Sequence, residues 1–149
     1  MKEEIKRSVL DIFEGADERN WTRVKNAMAE TVLLDYSSMT GTEPAMLSPD
    51  DITNAWANFL PGFDRTKHNL TNFKISTSDK LTTITFDGKA DHFINDKVWT
   101  VEGDYYAEAQ SDNRISLLKF NFKTQSGDMG LPEKATEKMQ NENSNNSNG

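Results

Sequence analysis

The sequence predicts an α+β fold in which helices pack on one face of a curved, mainly antiparallel sheet. Three observations carry that reading. Before Pro61 the apolar residues recur mostly at helical spacing, and from Thr66 onward the chain reads as strands only. Between those strands lie polar turn clusters such as Ser78-Asp79 and Ser111-Asp112-Asn113, too short for crossover helices, so neighbouring strands should pair antiparallel. At 149 residues the chain can bury one sizeable core but is too short for two ordinary domains; one domain over 1–128 and a polar tail over 129–149 are expected.

Ile5, Val9, Ile12, Phe13 and Ala16 share one side of a helical turn, with Lys2, Glu3, Lys6 and Arg7 elsewhere, which predicts a first amphipathic helix. Trp21, Val24 and Met28 repeat at three and four residues and predict a second short helix from about Asn20, forming a hairpin with the first. Residues 31–36, Thr-Val-Leu-Leu-Asp-Tyr, are β-branched and apolar and read as a first strand leading into a polar loop over 37–44. Ser48-Pro49-Asp50-Asp51 combines a capping hydroxyl, a proline at the first helical position and two carboxylates facing the helix's positive end. A third helix therefore starts there, with Ile52, Ala55, Trp56 and Phe59 on one side, and Pro61-Gly62 stops it. Four strands follow, over 67–76, 81–95, 97–110 and 114–124. From about Gly130 the chain has almost no apolar residues and finishes in Asn and Ser, a composition that predicts disorder because little burial offsets the entropy of ordering.

Bulk properties narrow the function. A formal net charge of −7 argues against a nucleic-acid partner, whose phosphates need Lys and Arg. No stretch is long and apolar enough to span a bilayer, and no signal-peptide core is recognisable, so a soluble, cytoplasmic protein with no membrane partner is expected. Without cysteine, catalysis must rest on His, Asp, Glu, Tyr, Ser or Lys. No phosphate loop or dinucleotide fingerprint occurs, and no cofactor is expected.

His68 and His92 are the only histidines, and both fall inside predicted strands. Alternation puts His92 on the face of Ile84, Phe86, Ala90 and Ile94, and His68 on that of Leu70, where desolvation and carboxylates can tune an imidazole for acid or base work. The alternative is a pair of core histidines with satisfied hydrogen bonds. Of Asp35-Tyr36, one must face inward; Tyr36 could present its phenol to a carbonyl or simply pack. Asp17 either joins the buried side of the helical hairpin or caps the second helix. Glu102, Asp104 and Tyr106 share a face opposite Trp99, Val101, Gly103 and Tyr105; that face is solvated, or Asp104 belongs to a polar patch of a cavity. Two histidines and an aspartate invite a metal triad, but their order carries no metal-ligand spacing, and no metal is expected.

The runs ADERNWTRVKNAMAETVLLDYSS, SPDDITNAWANFLPGF, TKHNLTNF and WTVEGDYYAEA resemble SnoaL-like, polyketide-cyclase-type domains of the NTF2-like superfamily over about residues 3–124. Within it the pattern is most similar to the scytalone dehydratases, with matching positions at Asp17, Tyr36, His68 and His92. The resemblance implies a cone-shaped fold of three helices on a curved sheet, commonly a homodimer. It implies His68 as base, Tyr36 as a donor holding water against a carbonyl, and Asp17 and His92 supporting base and substrate. The dehydratases pair two tyrosines, whereas the position before Asp17 is Ala16, and Ala107 and Ala109 stand where polar substrate contacts would fall.

The function so implied is a cofactor-independent dehydratase, isomerase or cyclase acting on a small ring-containing carbonyl compound. Trp56, Phe59, Phe86 and Phe93 are its expected apolar wall, with Asp104 a further contact. The alternative is a non-catalytic ligand-binding or dimerisation module, since fold alone does not fix activity.

Overall fold

Helix α1 (Lys2–Asp17) buries Ile5, Val9, Ile12, Phe13 and Ala16, the residues whose spacing predicts it. The computed structural model describes residues 2–79 and 81–147. Helix α2 (Trp21–Asn26) follows, capped by the Asn20 side chain, which accepts the Arg23 N–H. Arg23 in turn reaches back to Asp11, Glu14 and Glu18, clasping the two helices into a hairpin.

Among the described residues six strands form one sheet: β1 (Met28–Asp35), β2 (Ala45–Leu47), β3 (Arg65–Thr77), β4 (Thr82–Ile94), β5 (Lys97–Ala109) and β6 (Ile115–Gly127). Their order is β2-β1-β6-β5-β4-β3, and every neighbouring pair is antiparallel except β1 with β6. Each of the four late strands is 13 residues long, well beyond a common strand of about 5–6 residues. Strands that long coil, and here register shifts between Thr71 and Lys74, Glu102 and Gly103, and Glu108 and Ala109 add bend, because an extra residue on one strand sharpens local twist. The curved sheet wraps α1, whose apolar stripe fills its concave face.

The remaining elements close the wide end of the cone. A one-turn helix α3 (Ser37–Thr40) lies where the sequence suggests only loop, and helix α4 (Pro49–Ala57) begins with the predicted cap: Ser48 Oγ accepts the Asp51 N–H at 3.1 Å, and Asp51 accepts the Ser48 N–H at 3.3 Å. A 3-10 turn (Leu60–Gly62) ends that segment.

The chain after Gly130 corrects the expected disordered tail. Over its described part it is a helix, α5 (Leu131–Ser147), which buries Leu131, Ala135 and Met139. These three lie four residues apart, so a composition that is polar on average conceals one apolar stripe. α5 seats on the 3-10 turn so closely that a Cβ added at Gly62 would fall 2.3 Å from the Ala135 carbonyl oxygen. Asn148 and Gly149 lie outside the described residues.

Candidate active site

Between α1, the concave sheet and the α3–α4 segment lies a cavity of about 460 Å³. Apolar side chains, among them Phe13, Trp56, Phe59, Trp99 and Phe120, make most of its wall. Five titratable groups line it: Tyr36 just past the end of β1, Glu43 from the segment between α3 and β2, His68 from β3, His92 from β4 and Tyr105 from β5.

His68 is held by Asp17 at the last residue of α1. His68 Nδ1 lies 2.7 Å from Asp17 Oδ1, the His68 backbone N–H donates to Oδ2 at 2.7 Å, and the Thr66 hydroxyl donates to Oδ1 at 2.8 Å. Asp17 therefore faces His68 rather than capping α2, a task that falls to Asn20. Burial alone would push the Asp17 carboxyl up, but the hydrogen bonds and charge of His68, with help from Thr66, outweigh it and hold the carboxyl below its ordinary value. An ionised Asp17 fixes the proton of neutral His68 on Nδ1, so that Nε2 is left as the ring's free acceptor.

His92 stands 6.5 Å from His68, ring to ring, and packs between Phe63 and Trp99. Burial pushes it down to about 4 despite the Trp99 carbonyl, 3.0 Å from Nδ1, so the ring is neutral near pH 7. With that carbonyl as partner, Nδ1 carries the proton and Nε2 accepts.

Asp35 and Tyr36 divide as alternation requires. Asp35 turns to the Ser37 N–H and hydroxyl, and Tyr36 turns inward. There it meets Tyr105, a residue not foreseen as functional, edge-on with ring centroids 6.4 Å apart. Burial raises both phenols above their ordinary value, so both stay protonated near neutral pH. The signal for Tyr105 was present in the sequence, since it shares the face of Trp99 and Val101 opposite the acids. Gly88 makes room for it, since a Cβ there would lie 2.5 Å from Tyr105 Cε2; its cross-strand partner Gly103 instead leaves room for the Asn121 carbonyl and the Phe120 ring, 2.3 Å and 2.6 Å from a Cβ.

Trp56 and Phe59 line the cavity, whereas three expected contacts do not. Phe86 is buried beneath it, stacked on Tyr105 at 5.0 Å and on Phe73 at 5.4 Å, because Gly88 lets the Tyr105 ring lie over β4. Phe93, one residue past His92, points to the opposite sheet face under the Arg65 guanidinium at 3.9 Å. Asp104 is on that outer face too, away from this cavity, bonded to Asn121 at 2.9 Å and Lys123 at 3.1 Å.

Comparison with known proteins agrees with this architecture. A crystal structure of the Kfla4162 protein from Kribbella flavida superposes with a TM-score of 0.80 at 22% identity, covering 87% of this chain and 95% of that one. A candidate scytalone dehydratase from Novosphingobium aromaticivorans gives 0.66 at 15% identity, over 82% and 83% of the two chains. A Δ5-3-ketosteroid isomerase from a Mycobacterium species gives 0.64 at 11%, over 84% and 98%. At these identities the likeness concerns the NTF2-like fold alone. No curated protein matches the sequence. The SnoaL-like domain model matches residues 1–117, most of the chain, and the protein therefore belongs to the SnoaL-like domain family.

Proposed function

We propose that the protein is a cofactor-independent acid/base enzyme, a dehydratase, isomerase or cyclase, acting on a small ring-containing carbonyl compound. The observation that carries this is the pairing of an Asp17-held imidazole with a Tyr36–Tyr105 phenol pair across one apolar cavity. His68 Nε2 takes a proton from the carbon next to the carbonyl, and Asp17 stabilises the imidazolium that forms. Tyr36 donates to the carbonyl oxygen as negative charge gathers there, backed by Tyr105, in a site where few water dipoles compete. The proton on His68 then leaves with a β-hydroxyl as water, or returns at another ring carbon. The first outcome is dehydration and the second isomerisation. His92 Nε2 positions a ligand hydroxyl.

A cavity of about 460 Å³ suits a one- or two-ring ligand, and its aromatic walls suit an apolar one. The lyase and isomerase names among the structural neighbours support the same reading. The reading includes a homodimer joined through the outer sheet face, where half-buried Phe93, Val98, Tyr106 and Leu117 lie; a mass of 16.9 kDa in solution would remove that part.

The test is a thermal-shift screen of cyclic and aromatic ketones, followed by turnover assays of the ligands found, on the native chain and on His68→Ala. Stabilisation that grows with ligand concentration, with turnover lost in the variant, is expected. Binding without turnover assigns the protein to the ligand-binding modules of the superfamily, and no stabilisation by any ketone rejects the substrate class.

A further inference from the structure

Arg19 sits where its residue type is disfavoured. α1 ends with the Asn20 N–H returning to the Gly15 carbonyl at 2.8 Å and the Arg19 N–H to Ala16 at 3.1 Å, a helix stop whose turning residue is usually glycine. Arg19 occupies that place with φ 59°, in the left-handed region that a Cβ opposes. Strain of this kind persists where surrounding contacts hold it, and it gathers near functional sites.

The contacts here are specific. Arg19 Nη1 donates to the Ala16 carbonyl at 2.8 Å and to the Thr66 hydroxyl oxygen at 3.0 Å, while Nη2 donates to the Leu60 carbonyl at 2.9 Å. A guanidinium has only donors, so Thr66 accepts from it and must send its single proton elsewhere. The Asp17 Oδ1 that also faces His68 Nδ1 lies 2.8 Å away. Donation therefore runs one way, from Arg19 to Thr66 to Asp17, and meets the donation from His68 at the same oxygen. Thr66 is buried, with both partners drawn from the protein itself.

We infer that Arg19 and Thr66 form a relay that fixes Asp17 and thereby the tautomer of His68, making both positioning residues for the base; the inference rests on the proposed acid/base reading. The Arg19 charge also offsets the carboxylate, so that Asp17 stays ionised in a half-buried place without drawing the proton off His68. The other groups facing His68 are His92 from β4, neutral near pH 7, and the Phe13 ring from α1.

The test needs no substrate. With only two histidines, ¹⁵N-histidine labelling of the full chain gives two imidazole patterns, and an additional His92→Gln sample assigns them. The native chain should show His68 as the Nδ1–H tautomer, with a downfield, slowly exchanging Nδ1 proton. Thr66→Val keeps the shape and removes the relay; Arg19→Gly suits the left-handed backbone and removes the guanidinium. In each, the Nδ1 proton should exchange about tenfold faster, with the second tautomer appearing. Native His68 signals in both folded variants would overturn the relay. Asp17→Asn separates the two levels: if it abolishes the His68 signature while Thr66→Val and Arg19→Gly do not, the relay alone fails. If it changes nothing, the Asp17–His68 pair fails with it.

Discussion

His92 shows how burial becomes a pH response. Its folded-state value lies near 4 and its ordinary value at 6.5, so between those limits the unfolded chain binds a proton that the folded chain refuses. Stability should therefore fall by about 3 kcal/mol as pH drops across that window, and stay flat above it. Asp17 acts at lower pH: its lowered carboxyl contributes stability above the ordinary carboxylate range and loses it below. Denaturant titrations at pH 7 and pH 5 check the first step, and His92→Gln should flatten it; an equal slope in that variant would reject a neutral buried His92. At the same level, His68→Gln should reduce turnover about 10²–10⁴-fold, read as kcat on whichever ketone the screen supplies. Individual positions were legible where the two-residue period of a strand decides. It placed His92 inward and left Tyr36 or Asp35 to face in. The same rule put Phe93 outside, against its expected role, and put Tyr105 inside, where its chemistry was overlooked. The Arg19–Thr66 contact was not readable, since it joins residues 47 apart through a side chain in an unfavourable backbone.

Among elements, α4 was legible because its signal is local: hydroxyl, proline and carboxylate within four residues. Ser48→Ala should cost about 1 kcal/mol and lower Tm by about 2–4 °C, with little effect on ligand affinity, since Trp56 and Phe59 keep their backbone. A larger loss of affinity than of stability would show that the cap also shapes the wall. α5 was missed for the opposite reason, three apolar residues diluted among many polar ones. Ending the chain at Gly130 exposes the surface around Gly62 that Leu131 and Ala135 cover, and should lower Tm by several degrees. Gly62→Ala, by pressing on the Ala135 carbonyl, should do part of the same. An unchanged Tm in both would mean that α5 contributes no packing. β2 and α3 escaped notice because three or four residues carry too little periodicity to register.

For the whole molecule, segregation of helices and strands was enough to give the fold class, while the parallel pairing of β1 with β6 was not foreseeable from neighbours in sequence. That non-local pairing matters to function. It places Tyr36 at the end of β1 across the cavity from His68 on β3, with Tyr105 between them on β5. Gly88→Ala should push the Tyr105 ring into the cavity and weaken binding of ring-sized ketones more than it lowers Tm. The claim on which the account turns is that His68, oriented by Asp17, removes a proton next to a bound carbonyl. Incubating the protein in D2O with a cyclic ketone that it binds, and following deuterium at the α-carbon by NMR, measures that step alone. The account predicts exchange well above the buffer rate in the native chain, and its loss in His68→Gln with binding retained; undiminished exchange in His68→Gln would contradict it.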